Sequence, residues 1–389
     1  MLVSAMDLQP PPLRSPLSAY EEQADRLLEA HRAADPAAID LFHRKHPRFL
    51  DETIKWRPKF IADSEIRDAA LSLDDARLAI ARNYDFLDWP ALVDYVDAVS
   101  RDGPVHAFEA AVEAVVGGDL GALHDALRRD PALVHARSSR VCCFDPPVHR
   151  ATLLHYIAAN GVEAYRQRTP GNAVEIARTL LVAGAEPDAL ADMYGTACTT
   201  MSMLVSSSHP AEAGLQVVLA GLLLDFGAAI EGRGGKWERP LFAALAFGMS
   251  DVAKLLAERG ARIDLAAASG LGLAREAARL VSSADEEERR RALSLAAQQG
   301  HAEIVALLLD SGLDPNRYNP VGNHPHCTPL HQAVLGGHED GVRLLVARGA
   351  RLDVRDTIWD GTPLGWAIHG GCRDRERMIE CLRELGAED

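Results

Sequence analysis

The chain contains 389 residues, of which 48% are hydrophobic and 25% are charged, and its formal net charge is −15. This composition is typical of a globular protein and supplies enough apolar residues for a packed core. The acidic excess and the lack of an evident basic face argue against nucleic acid and anionic membranes as partners.

The cysteines and the N-terminal stretch indicate a cytoplasmic protein. The six cysteines have no CxxC spacing, which in a chain this long favours reduced thiols over a disulfide framework. The stretch MLVSAMDLQPPPLRSPL lacks a charged region followed by a continuous apolar region, and no apolar run of about eighteen residues occurs anywhere. We therefore expect neither export nor a membrane anchor.

The N-terminal part reads as a tail followed by a helical module. Residues 1–17 contain four prolines and no periodic pattern, so they are predicted to be a disordered tail. A helical pattern begins at Ser18, which with Glu21 has the spacing of a capping box. Residues 18–100 are predicted to form an all-helical N-terminal module.

Three further helices are predicted in this module. One covers residues 36–46, and two others begin after the N-cap residues Ser72 and Asp88. The stretch KWRPKF at 55–60 mixes cations and aromatic rings as a nucleic-acid site does, but acidic residues flank it. We interpret it as a solvated linker with buried rings.

From residue 101 to residue 389 the chain repeats two short signatures. Each unit opens with a phrase related to TPLH and closes with a leucine-rich segment that ends on glycine. The openings are TLLH at 152, TTMS at 199, RPLF at 239, RALS at 291, TPLH at 328 and TPLG at 362, and the closing glycines are Gly184, Gly227, Gly260, Gly312, Gly349 and Gly386. A degenerate unit before these and a shortened one after Gly260 bring the prediction to about eight units.

The unit that opens at Thr328 shows what each position does. Thr328 can cap the helix that it opens, Pro329 suits a first turn where no N–H is needed, and Leu330 is expected in the core. Leu345 belongs to the apolar face of a second helix, and Gly349 can adopt the left-handed conformation that ends it. Such a helix pair must stack on its neighbours to bury its apolar face.

These signatures resemble the ankyrin repeat. The matching positions are Thr328, Pro329, Leu330, His331, Ala333, Gly349 and Ala350, which reproduce the T-P-L-H-x-A and G-A phrases. The resemblance covers residues 101–389 and implies an all-α ankyrin-repeat solenoid that serves as a binding scaffold, usually for proteins. The stretch LDDARLAIARNYDFLDWPALVDYV also resembles the helical leader that precedes the repeats in many bacterial ankyrin proteins.

Sequence motifs for metal, cofactor or enzymatic chemistry are weak. HPHC at 324–327 is the densest His/Cys cluster, with Cys372 one repeat further along. However, His331 and His338 are the repeat's own structural histidines, and Pro325 fixes a spacing that suits tetrahedral zinc poorly. Since GxGxxG, P-loop, HExxH and GxSxG motifs are also lacking, we expect no metal and no cofactor.

The positions expected to face the groove of the repeats are unusually rich in apolar and aromatic residues. The predicted binding residues are Tyr156, Tyr194, Met203, Trp237, Phe247, Tyr318, Trp359 and Trp366. Exposed rings in such positions are typical of a binding surface, although the same rings could instead pack between neighbouring units as core.

Two functions remain open from the sequence. The first is an intracellular binding module that presents this groove to a protein or peptide. The alternative is a small-molecule-binding protein or an enzyme of lyase or cyclase type, which acts by acid–base chemistry on an apolar metabolite. Its candidate groups are His155, Tyr156, Tyr194, His326 and His369. A closed apolar cavity would favour the enzyme, and an open groove would favour the binding module.

Overall fold

The computed structural model describes residues 8, 10–161, 163–233 and 239–388. The described chain is helical apart from one two-stranded antiparallel sheet. It divides into two compact units, unit 1 (Met1–Phe226) and unit 2 (Gly227–Asp389). Within the described residues, no helix has the length and apolar character needed to cross a membrane.

Unit 1 begins with the helices of the N-terminal module and continues with three helix pairs. Its helices are α1 (Leu17–Arg32), α2 (Pro36–Lys45), α3 (Asp63–Arg67), α4 (Leu73–Asn83), α5 (Trp89–Ser100), α6 (Pro104–Gly117), α7 (Leu120–Arg129), α8 (Ala173–Val182), α9 (Thr200–Leu204), α10 (Ser208–Glu212) and α11 (Gln216–Asp225). Short 3₁₀ helices cover Pro47–Phe49, Pro131–His135, Leu153–Ala158 and Ala164–Arg166, and strands β1 (Ala191–Met193) and β2 (Thr196–Cys198) form a hairpin.

The caps of the N-terminal module follow the sequence pattern in two of three cases. The Ser72 hydroxyl accepts from the N–H of Asp75 at the start of α4, and Asp88 accepts from the N–H of Ala91 in α5. The capping box predicted at Ser18 is wrong, because the N-cap of α1 lies two residues earlier. Pro16 takes the N-cap position with extended backbone and offers no capping side chain.

The linker at 55–60 differs from its prediction. Trp56 and Phe60 are exposed rather than buried. The Arg57 guanidinium lies 4.9 Å from the centroid of the Phe60 ring and pairs with Asp51. A cation above the ring face and an acidic partner hold this linker together at the surface without a core.

The first full repeat of unit 1 is irregular. The phrase opening at Thr152 forms the 3₁₀ helix Leu153–Ala158 rather than an α-helix, and Ala159 ends it with a left-handed backbone. The second helix, α8, starts only at Ala173, and residues 159–172 fill the interval as an insertion. This insertion carries the charged groups described below.

Unit 2 contains five helix pairs. Its helices are α12 (Pro240–Ala246), α13 (Ser250–Glu258), α14 (Leu265–Gly270), α15 (Ala274–Leu280), α16 (Glu286–Gln299), α17 (Ala302–Asp310), α18 (Pro329–Leu335), α19 (Glu339–Ala347), α20 (Pro363–His369) and α21 (Arg375–Glu384). Leu330 and Leu345 are buried in the apolar cluster that joins successive pairs, and Gly349 ends α19 with a φ of +92°. No hairpin separates α13 from α14, as the shortened repeat predicts.

Candidate functional site

The predicted groove residues of unit 2 include a row of neighbouring rings. Phe247 lies 6.1 Å from His324, His324 lies 5.9 Å from His326, and His326 lies 5.8 Å from Trp366, measured between ring centroids. Trp366 in turn lies 5.0 Å from His331. We refer to these five residues as the aromatic row. The row brings together the sequence-predicted residues Phe247, His326 and Trp366. His324, from the HPHC stretch, lies between Phe247 and His326.

The Asp356 carboxylate accepts the hydrogen bonds that hold Trp366 of the aromatic row. Its Oδ2 accepts from the Trp366 indole N–H at 2.9 Å and from the N–H of Gly361 at 2.9 Å, and its Oδ1 accepts from the N–H of Trp359 at 2.6 Å. Burial alone would raise the pKa of Asp356, but these donors lower it below its usual range. The carboxylate therefore stays ionised and holds both tryptophans in place.

The HPHC stretch has structural partners. His324 Nε2 lies 2.8 Å from the carbonyl oxygen of Ala246, and the Cys327 thiol contacts Gln332 and Asn319. Burial raises the pKa of Cys327 to about 12, so the thiol stays protonated. In the described part of the chain, no three His, Cys, Asp or Glu side chains come together in a way that could hold a metal ion.

The other predicted residues of unit 2 are more exposed. The Tyr318 hydroxyl donates to the carbonyl of Arg355 at 2.7 Å, and 46% of Trp359 is exposed beside Asp356. His369 is exposed at the end of α20. Trp237, a predicted binding residue, lies outside the described residues.

His155 and His331 occupy the same position in two repeats and have the same partners. Nδ1 of each accepts from the threonine that opens the repeat, with Oγ1 at 2.9 Å in both cases. Nε2 donates to a carbonyl further along, that of Cys198 at 3.3 Å for His155 and that of Gly361 at 3.2 Å for His331. Burial lowers the pKa of each ring to about 4. Both rings are neutral and engaged at both nitrogens.

The predicted residues of unit 1 surround the backbone at Gly161. The Tyr194 hydroxyl lies 3.0 Å from the N–H of Gly161, and Asn160 Nδ2 donates to the carbonyl of Met203 at 2.9 Å. Gly161 has a φ of +107°, which favours glycine, and a Cβ here would also lie 2.7 Å from Met193 Sδ, so that the methionine side chain would have to shift. Tyr194 is partly exposed, whereas Met203 is buried.

A buried ion cluster in unit 1 has no counterpart in the sequence analysis. Glu163 accepts from Arg166 Nη1 at 2.6 Å, from His149 Nε2 at 2.9 Å and from the Tyr156 hydroxyl at 2.9 Å. Arg166 also pairs with Glu109 at 2.8 Å. Burial would raise the pKa of Glu163, but Arg166 and the other donors lower it well below its usual range.

Arg140 extends this cluster towards the N-terminal module. Its guanidinium lies 3.7 Å from the Phe86 ring centroid and 5.1 Å from that of Tyr95. It donates to the Tyr165 hydroxyl and to the carbonyl of Tyr84. The cluster therefore ties α4 and α5 to the first repeat through a fully buried cation.

The ion cluster leaves little room for a ligand. The cavity beside His149, His155, Tyr156 and Glu163 has a volume of about 20 Å³. That is the space of a water molecule. Sequence reasoning named Tyr156 but missed its charged neighbours Glu163 and Arg166, because charged residues in a loop are usually exposed. The one available signal was the wide interval between Thr152 and the next helix.

Comparison with known proteins identifies the repeats. The family described as ankyrin repeats (3 copies) matches residues 264–356 and 293–388. Cyclin-dependent kinase 4 inhibitor B of Bos taurus is 32% identical over 116 residues, which cover 22% of this chain and 88% of that protein. The chain belongs to the ankyrin-repeat proteins, and the predicted all-α ankyrin-repeat fold class is confirmed. Ankyrin repeats are protein-interaction modules, which supports a protein-binding role.

Other relatives share only part of their length with this chain. An ankyrin repeat-containing protein of Schizosaccharomyces pombe is 42% identical over 71 residues, which cover 18% of this chain and 31% of that protein. Ankyrin repeat and SOCS box protein 6 of Mus musculus is 36% identical over 105 residues, which cover 26% of this chain and 23% of that protein. The chain thus spans less than a third of the length of these two relatives.

A solved structure with local similarity is the human ASB11 ankyrin repeat domain. It is 19% identical, covers 61% of this chain and 100% of its own, and has a TM-score of 0.30. At this TM-score the likeness adds nothing to the family assignment.

Proposed function

We propose that the protein binds a peptide segment of a partner protein through the aromatic row and Trp359 of unit 2. The observation that carries the proposal is that aromatic rings from three different repeats lie next to each other. Successive ring centroids from Phe247 to Trp366 are 5.8–6.1 Å apart. The Phe247 end of the row is exposed, with 39% of the side chain accessible, and Trp359, which shares Asp356 with Trp366, is 46% accessible. Exposed aromatic side chains in contact are typical anchors of a binding site.

Several rings of the proposed site are already held in position. The indole of Trp366 is bound to Asp356, and the imidazole of His324 is bound to the carbonyl of Ala246. A partner therefore has less side-chain freedom to restrict on binding. Such preorganisation increases affinity without any additional contact.

Charge contributes little to this surface. Two arginines between α19 and α20 pair with acidic neighbours, Arg351 with Asp353 and Arg355 with Asp360. Burial lowers the pKa of His326, so that its ring is neutral at pH 7. The partner segment should accordingly present apolar side chains, and its affinity should depend weakly on salt.

The enzyme alternative finds no support in the geometry. Both nitrogens of His155 are engaged within the protein, and the Tyr156 hydroxyl donates to the ionised Glu163. The cavity that these groups line has room for about one water and not for a metabolite. Neither His326 nor His369 lines this cavity.

Two finer aspects of the proposal rest on sequence alone. We also propose a cytoplasmic location, which the cysteine pattern supports, and a bacterial origin, which the leader-like stretch at 73–96 supports. The relatives named above are eukaryotic, so the leader carries this second inference alone. The cytoplasmic location can be tested by expressing a tagged chain and determining the cell compartment in which it is found.

A peptide selection tests the proposed function. Peptides selected from a displayed library on the full chain should bind wild type and lose at least about tenfold in affinity on Phe247→Ala or Trp359→Ala, since aromatic anchors carry much of such binding energy. Val218→Ala, at an exposed apolar position of α11 in unit 1, is the matched control and should change nothing. Selected peptides that bind both ring variants as tightly as wild type would refute the proposal.

A further inference from the structure

Unit 1 contains a second aromatic surface, and part of the chain itself covers it. A cavity of about 280 Å³ is lined by Tyr20, Tyr84, Tyr95 and Tyr165, which we name the tyrosine wall, and by residues 10–15. Glu113, Arg166 and Arg168 also line it. Residues 10–16 are named the N-terminal strap, and they read PPPLRSP.

The strap is attached at its ends and at one side chain. Leu8 before it and Leu17 after it pack against the apolar core of the N-terminal module. Arg14 pairs with Asp102 and donates from Nε to His106 Nδ1 at 3.2 Å. The strap is thus attached on both sides of the stretch that lines the cavity.

The chemistry of the two sides matches that of proline recognition. Three consecutive prolines favour the extended polyproline conformation, whose rings pack well on aromatic faces. The N–H of Ser15 donates to the carbonyl of Pro12 at 3.0 Å, which turns the chain towards α1. The wall is rigid because Tyr95 donates to Glu109, Tyr165 accepts from Arg140, and Tyr84 donates to Gln23.

The strap nevertheless fits the wall poorly. It leaves the cavity of about 280 Å³ unfilled, a volume near the lower limit of small-molecule sites. Its ionic attachment is weak as well, because 93% of the Asp102 side chain is exposed to solvent. A covering segment that packs loosely and is held by an exposed ion pair can be displaced by one that fits better.

We propose that the tyrosine wall is a binding site for extended proline-rich peptides, and that the strap is its intramolecular competitor. A tethered segment of this length competes at an effective concentration in the millimolar range. The strap therefore lowers the apparent affinity for a peptide added in solution. This site lies in unit 1 and is independent of the aromatic row.

Binding of a synthetic peptide with the sequence of residues 8–17, LQPPPLRSPL, tests the proposal by fluorescence polarisation. A chain that lacks residues 1–16 should bind the peptide saturably, and the full chain should bind it at least about tenfold more weakly because the strap competes. The control peptide carries alanine at the positions of Pro10, Pro11 and Pro12, and it should lose binding.

A second variant leaves the chain intact. Asp102→Arg changes a side chain that is almost fully exposed and removes the ionic attachment of Arg14. The full-length variant should therefore bind the unsubstituted peptide LQPPPLRSPL several-fold more tightly than wild type does. Circular dichroism melting checks both variants, and if the shortened chain does not fold, Asp102→Arg alone decides. The proposal is overturned if no folded variant binds below about 1 mM, if the alanine peptide binds equally well, or if wild type binds as tightly as the variants.

Discussion

Glu163 Oε2 and Arg166 Nη1 lie 2.6 Å apart although only 4% and 2% of their side chains are exposed. Burial of two charges is unfavourable unless each has further partners. Here Glu163 has His149 and Tyr156, and Arg166 has Glu109. The stability of the irregular first repeat therefore depends on all of these partners being present.

Glu163→Gln is expected to destabilise the protein by roughly 3–5 kcal/mol, because it leaves the buried Arg166 with fewer compensating partners. Urea unfolding measures the loss. The matched control is Glu384→Gln, which removes an ion pair of Arg343 between two exposed side chains and should cost about 1 kcal/mol or less. A loss at Glu163 no larger than in the control would mean that the cluster does not stabilise the fold.

The neutral histidines His155 and His331 predict loss of stability in mild acid. Their pKa is about 4 in the folded protein against 6.5 for the unperturbed side chain, so the unfolded state binds protons first. Their stabilising contribution is complete above pH 6.5 and is lost as the pH falls towards 4, by up to roughly 3 kcal/mol for each. Urea unfolding at several pH values measures the slope. His331→Gln should reduce it and His369→Gln, at an exposed site, should not; equal slopes in all three proteins would contradict the assignment.

Leu345→Ala should cost about 2–5 kcal/mol, because the side chain is fully buried between repeats of unit 2 and its truncation leaves a cavity. Thermal or urea unfolding gives the value. Val321→Ala, at an exposed position of the same unit, serves as the control and should change stability by less than about half a kcal/mol. If Leu345→Ala resembles the control, the assigned repeat register is wrong.

Asp356→Ala should weaken binding of the selected peptides as well as stability, because the carboxylate positions Trp366 and the backbone at Trp359. The loss of its hydrogen bonds should cost roughly 1–3 kcal/mol in unfolding free energy. The NMR signal of the Trp366 indole N–H should shift when its acceptor is removed. An unchanged signal together with unchanged peptide affinity would show that Asp356 does not order the aromatic row.

The regular repeats could be predicted from the sequence because their signals are local. Leu345 lies on a buried helix face and Gly349 ends its helix, as predicted. Thr328 is the N-cap residue of α18, but its hydroxyl bonds to His331 Nδ1 rather than capping the helix backbone. The predicted contact of Phe247 and Trp366 with a partner stays a prediction, although the structure brings these rings into one row with His326, a candidate group of the enzyme alternative.

The buried ion cluster could not be predicted, because it is assembled from distant segments. Glu109 comes from α6, Arg140 from the loop before the first repeat, and Glu163 and Arg166 from its insertion. Each looks like an ordinary surface charge in the sequence. The contacts of the strap could not be predicted for the same reason, since Arg14 pairs with the distant Asp102. The predicted disorder of residues 1–17 stays a prediction.

Amide hydrogen exchange with and without a selected peptide tests the central claim most directly. Binding at the aromatic row predicts slower exchange at Phe247, over 324–326 and over 356–366, and clearly weaker protection of these segments in Phe247→Ala when the peptide concentration is close to the wild-type Kd. Exchange that stays uniform at saturating peptide, or protection confined to unit 1, would contradict the claim that unit 2 binds the partner through these rings.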